Sequence, residues 1–153
     1  MKKYLVFDMD GTIADLYGVT DWLPMLEKEN PSPYIEAKPI YDTNILNNVL
    51  LAYKKQGWNI IITSWLAKNS TKEYDIAVKK AKLDWLKKHN FPYDECYIVK
   101  YGTIKSNCTK HLGGFQILID DNKEVRKDWS LGSTIDANQN ILEILTDYLY
   151  YNF

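Results

Sequence analysis

The chain has 153 residues, 46% of them hydrophobic and 25% charged, which suits one folded domain with a single core and excludes a disordered or fibrous protein. Nineteen Lys and Arg against 20 Asp and Glu give a formal charge of −1, so no overall field is available to hold a nucleic acid or an anionic membrane, and any nucleic-acid contact would have to be local. No apolar stretch approaches the roughly 20 residues that span a bilayer, the apolar run in residues 1–11 is too short for a signal-peptide core, and Cys96 and Cys108 match no metal-ligand spacing; free thiols and a cytoplasmic location are the expectation.

The apolar, β-favouring run at 4–7 stops at Asp8, with Gly11 close behind, and predicts a buried strand entering a tight turn. The stretch that follows, to about Pro39, reads as irregular, with a short helix around 22–29 and then Pro31, Pro33 and Pro39 breaking any continuation. Asp42 is a plausible N-cap for a helix carrying Leu46, Val49, Leu50 and Tyr53 at helical spacing until Gly57. WNIIITS at 58–64 reads as the second strand. Ser70 and Glu73 have capping-box spacing, and Tyr74, Ala77, Val78, Ala81 and Trp85 form the buried stripe of a helix ending near Asn90. Lys72, Lys79, Lys80, Lys82, Lys87 and Lys88 read as its solvated face, far from any site, where a polynucleotide could bind locally.

A strand over 95–99, a short helix over 104–112, a strand over 115–119 running into Asp120, a short helix over 123–129, a weak strand near 133–135 and a helix over about 138–150 follow, with no internal repeat. The terminal YLYYNF, 148–153, offers a self-association surface. Alternating strands and helices predict an α/β fold: a Rossmann-like three-layer α/β/α sandwich with a mainly parallel sheet. Ligands of such sheets sit at the carboxyl ends of the strands, where Asp8, Thr63 and Asp120 stand.

Asp8 and Asp10 place two carboxylates close together where water is partly excluded, and Asp120 with Asp121 worsens the repulsion. A hard divalent cation with oxygen ligands resolves the conflict, and Mg2+ fits best. Plainer readings exist for each residue: Asp and Gly favour turns, Asp120 and Asp121 can cap the following helix, and Thr63 can satisfy strand-end backbone. Tyr17, Trp22, Tyr34, Tyr41 and Trp65 fall in segments that should rim the site, where packing competes with stacking on a nucleobase. His89 and His111 read as ordinary helix-end residues.

DMDGT at 8–12, IIITS at 60–64, a lysine at 105 or 110 and LIDDN at 118–122 resemble, in that order, the four motifs of the haloacid dehalogenase-like superfamily of phosphotransferases. The resemblance covers 4–122 and implies one such domain over 1–153 with at most a flap or minimal cap insert at about 13–41. It implies that Asp8 is the nucleophile of an aspartyl-phosphate phosphatase and Asp10 the general acid and base. Asp8, the Asp10 carbonyl and Asp120 or Asp121 would hold Mg2+, while the Thr63 hydroxyl, the Ser64 N–H and a lysine bind the phosphate. Lys105, just after a Gly turn, points toward the site more plausibly than Lys110. The small insert is similar to that of 5′(3′)-deoxyribonucleotidases, so a small phosphorylated substrate is implied, a nucleotide first and a polynucleotide end second. Two other classes share the ingredients: a phosphorylation-dependent receiver-like switch, which the order of the acids argues against, and a metal-binding module without turnover.

Overall fold

Tyr4, Leu5, Val6 and Phe7 are all buried, so β1 (Lys3–Phe7) has no solvent face and must be covered on both sides. The computed structural model, which describes residues 1–152 without the Asn152 side chain, shows how. β4 (Trp58–Trp65), β5 (Glu95–Val99), β6 (Phe115–Asp120) and β7 (Thr134–Asp136) join β1 in one sheet of order β5-β4-β1-β6-β7, every neighbouring pair parallel. The chain builds outward from β1 to β5, then crosses back to β6 and β7, which puts the topological switch point beside β1.

Side-chain alternation along the strands sorts the core into layers. Leu5, Phe7, Ile60, Ile62, Ile117 and Ile119 pack against α3 (Thr43–Lys55), α7 (Ile141–Asn152) and the end of α4 (Lys72–Lys88). Tyr4, Val6, Ile61 and Leu118 face Val125 of α6 (Lys123–Lys127) and Trp129 just beyond it. The Asp42 carboxylate accepts from the Ile45 N–H at 3.1 Å, capping α3 as expected. Tyr53 then donates to the Leu145 carbonyl at 2.7 Å, tying α3 to α7.

The insert is folded rather than irregular. β2 (Ala14–Asp15) and β3 (Lys38–Pro39) pair antiparallel and close a loop holding a 3-10 turn at Leu16–Gly18, α1 (Trp22–Glu27) and α2 (Ser32–Glu36). Pro33 does not break a helix here; it sits in the first turn of α2, where its missing N–H has no intrahelical acceptor to lose. Tyr34 and Leu16 pack on Leu66 and on Tyr74, Val78 and Ala81 of α4, so the insert rests on α4.

Several boundaries differ from expectation for local reasons. Thr71, not Ser70, caps α4, accepting from the Tyr74 N–H at 3.2 Å, while the Ser70 hydroxyl bonds Asp75 and the Ala67 carbonyl. Residues 104–112 divide into α5 (Ser106–Thr109) and a 3-10 turn at Lys110–Leu112. α7 begins at Ile141 because Asn138 is engaged with Asp136 and Asp121, leaving Asn140 to accept from the Glu143 N–H. Ala77 is only half-buried, and Lys82, expected in solvent, is buried. Tyr150 and Tyr151 are exposed, and Phe153 of the terminal aromatic run lies outside the described residues. No helix among the described residues is long and apolar enough to cross a membrane, and Cys96 and Cys108 are free thiols.

Trp85 Nε1 donates to the buried Ala37 carbonyl at 2.7 Å, joining α4 to the returning arm of the insert. Trp85→Phe leaves that carbonyl unpaired and should lower unfolding stability by about 1–3 kcal/mol. The check is a lower urea midpoint at unchanged slope.

Candidate active site

Asp8 follows the pairs Phe7↔Ile62 and Phe7↔Ile119, so Thr63 and Asp120 lie level with it on the two flanking strands. Its N–H still donates to the Ile119 carbonyl at 3.0 Å before the chain turns away. The Thr12, Ile13 and Ala14 amides all converge on the Met9 carbonyl, at 3.1, 3.0 and 3.0 Å, and this tight loop turns the Thr12 hydroxyl back to donate to Asp8 Oδ2 at 3.0 Å. Gly11 has a φ of 81°, and a β-carbon there would collide with the Asp121 carboxylate and the Tyr17 ring. Glycine is what lets the two acidic loops approach.

Lys105, only 4% exposed, donates to Asp8 Oδ1 at 2.8 Å and to Asp120 Oδ2 at 2.7 Å. Burial works to lower its pKa, and the Asp8 and Asp120 charges more than reverse this, so the ammonium is held charged. Lys110 is exposed on the 3-10 turn and makes no contact with these acids.

Asp8, Asp120 and Asp121 each offer a carboxylate oxygen, and these oxygens lie within 4.8 Å of one another. Burial, then the Asp8 charge, pushes Asp120 up to about 6 against the pull of Lys105, and the same two causes push Asp121 up to about 8. The loop is pinned regardless: the Asn122 N–H donates to Asp120 Oδ1 at 2.9 Å, Arg126 to the Asp120 carbonyl at 3.0 Å, and Asn138 to the Asp121 carbonyl at 2.8 Å. Oxygen donors held together against their own repulsion fit a hard divalent cation such as Mg2+.

The Asp10 side chain stands apart from that cluster. Its Oδ2 accepts from Lys82 at 2.9 Å, and the same ammonium donates to Ser64 Oγ at 2.6 Å and the Trp65 carbonyl at 2.8 Å. Burial raises the Asp10 pKa, with Lys82 opposing it. Lys82 therefore corrects the expectation of a solvated lysine face: Lys72, Lys79, Lys80, Lys87 and Lys88 are exposed, and Lys82 is 1% exposed. It lies four residues after Val78 and three before Trp85, a place on the buried stripe that its residue type obscured. Thr12 is the other contact to Asp8 not foreseen, although it closes the DMDGT run.

Thr63 and Ser64 are fully buried and do not line the cavity described next. The Ser64 hydroxyl receives Lys82, whereas the Thr63 hydroxyl has no hydrogen-bond partner. The cavity, of about 600 Å³, has Asp8, Asp10, Lys105, Asp120 and Asp121 on one side. Tyr17, Trp22, Leu26 and Tyr34 reach it from the insert, and Trp65 and Tyr101 from the sheet side. Tyr17 and Trp22 meet edge to face at 4.9 Å between centroids. Tyr41 lies elsewhere, bonded to the Gln139 carbonyl and the Ile141 N–H. His89 packs on Trp85 and His111 on Tyr97, away from the cavity.

No family model matches the chain, and no curated protein matches it in sequence. Among solved structures it is similar to a D,D-heptose 1,7-bisphosphate phosphatase from Burkholderia thailandensis, with a TM-score of 0.56 and 10% sequence identity, over 97% of this chain and 99% of that one. The fold is thus the α/β sandwich with a parallel sheet expected from the sequence.

The raised carboxyls bind protons more tightly in the folded chain than in the unfolded one, whose aspartates ionise near roughly pH 4. Metal-free protein should therefore lose stability as pH rises from there through about 6 and about 8. In chelator the melting temperature should fall between about pH 5 and about pH 8.5, and Mg2+ should raise it more at the higher pH. An equal Mg2+ increment at both would contradict a metal at this cluster. Gly11→Ala should weaken Mg2+ binding about tenfold or more in calorimetric titration, because Asp121 must move.

Proposed function

We propose that the protein is a Mg2+-dependent phosphomonoester hydrolase that passes the phosphoryl group through Asp8, with nucleotides as its first candidate substrates. One observation carries this reading. The Asp8 carboxylate faces a substrate-sized cavity between a buried lysine and two further acids, while a second carboxyl two residues on is held out of that cluster.

Asp8, oriented by Thr12 and Lys105, attacks phosphorus, and the new O–P bond forms as the ester P–O bond breaks. Asp10, whose pKa is raised by burial, gives its proton to the departing oxygen. Water then attacks the phosphoryl group, Asp10 takes its proton, the Asp8–phosphorus bond breaks and phosphate leaves with the carboxylate restored. Lys105 supplies a fixed positive charge beside the phosphoryl oxygens, and the unpartnered Thr63 hydroxyl is a donor level with Asp8 in the sheet. Held by Asp8, the Asp10 carbonyl and Asp120 or Asp121, Mg2+ would neutralise phosphoryl charge and align the attack.

The organic group of the substrate would extend along Trp22, Trp65 and Tyr101, surfaces that suit a flat ring and favour a nucleotide. The structural neighbour's name makes it a phosphatase of a sugar bisphosphate, which supports phosphoester hydrolysis and puts sugar phosphates on the same panel.

The test is phosphate release from nucleotides, sugar mono- and bisphosphates and a 3′-phosphorylated oligonucleotide, with and without Mg2+. Release should require Mg2+ and be fastest with a nucleotide. Asp8→Asn should lower kcat by at least about 10³-fold, and Asp10→Asn by about 10²–10⁴-fold. Stoichiometric phosphorylation that persists without turnover would overturn the hydrolase reading in favour of a switch.

A further inference from the structure

Lys82 comes from the middle of α4, is 1% exposed, and spends its ammonium on three acceptors: Asp10 Oδ2, Ser64 Oγ and the Trp65 carbonyl. The Tyr34 ring of α2 covers it at 5.0 Å from the centroid. Burying a lysine requires full pairing, and an α4 built only for packing would place an apolar residue between Val78 and Trp85. Lys82 touches neither Asp8 nor the other two acids of the cluster; among the described residues its carboxylate partner is Asp10. Lys105 serves the opposite flank, with Asp8 and Asp120.

Resting on the hydrolase reading above, we propose that Lys82 is a positioning residue that fixes the Asp10 carboxyl for proton delivery to the leaving oxygen. Two of its contacts, Ser64 and the Trp65 carbonyl, belong to β4 and fix the ammonium relative to the sheet, while Tyr34 belongs to the insert. Asp10 lies on the turn between β1 and β2 and has no other side-chain ion partner among the described residues. Without Lys82 the carboxyl is free to rotate toward the Asp8 cluster, where it would no longer meet the departing oxygen. Asp10 also opens the backbone turn that Gly11 completes, so what Lys82 sets is the side chain, not the loop.

The test compares kcat/KM for p-nitrophenyl phosphate, whose leaving group needs little protonation, with phenyl phosphate, whose phenol is as basic as that of tyrosine. Lys82→Met should lower kcat/KM for phenyl phosphate by about 10–100-fold and for p-nitrophenyl phosphate by no more than about threefold. Because Lys82→Met strands the Asp10 charge, the double variant Asp10→Asn, Lys82→Met, which removes both members of the pair, keeps a folded comparison. In the Asp10→Asn background the added Lys82→Met should change kcat/KM by less than about twofold. A further tenfold loss in that background, or an equal loss for both esters in the single variant, would show a structural or direct phosphate-binding role and overturn the proposal. A wild type that releases phosphate from neither ester with Mg2+ would instead overturn the hydrolase reading and this one with it.

Discussion

The structure depends on crowding four carboxylates, three of them in one cluster, at one end of the sheet where two buried lysines cannot balance them. Asp8 and Asp10 leave the end of β1, Asp120 and Asp121 the end of β6, and among the described residues only Lys105 and Lys82 pair with their carboxylates. The conflict shows in the upward shifts of Asp120 and Asp121. One divalent cation would supply the two positive charges that full ionisation lacks. The sheet makes the crowding unavoidable, because β1 pairs with β6 and their ends fall side by side at the switch point. Each lysine is also costly to remove alone, since it would leave a buried carboxylate uncompensated.

Around that core of charge the fold divides its labour. β1, β4 and β6 are buried on both faces and set the positions of Asp8, Thr63 and Asp120 by register alone. The insert has few buried residues of its own and borrows α4 as its floor, through Tyr34, Leu16 and the Trp85–Ala37 bond. It covers one side of the cavity with Tyr17, Trp22 and Leu26. Lys82 stands where these parts meet, under Tyr34 and beside Asp10.

The sheet was legible in the sequence because strands buried on both faces read as continuous apolar runs, VF, III and LI, each ending at a polar residue. The acids could be found for the same reason: they stand where the apolar runs stop. Helix starts were less legible, because Ser70 competes with Thr71 and Asn138 with Asn140, and tertiary partners decide between them. The first helix of the insert does stop before Pro31, but α2 was not foreseen because prolines were read only as ending a helix, whereas Pro33 stands in the first turn of α2. Lys82 was hidden by its type: in a helix with five exposed lysines a sixth reads as solvated, and only its spacing from Val78 and Trp85 marked it as inward. What determines its burial, Asp10, is 72 positions away in sequence.

The most direct measurement is a crystal structure of the protein grown with Mg2+ and beryllium fluoride, which mimics a phosphoryl group on a carboxylate. The expected density has beryllium bonded to an Asp8 carboxylate oxygen, Mg2+ between that group and Asp120 or Asp121, and Lys105 and Thr63 directed at the fluorides. Beryllium fluoride on another residue, or Mg2+ bound away from Asp8, Asp120 and Asp121, would contradict Asp8 as the phosphoryl carrier.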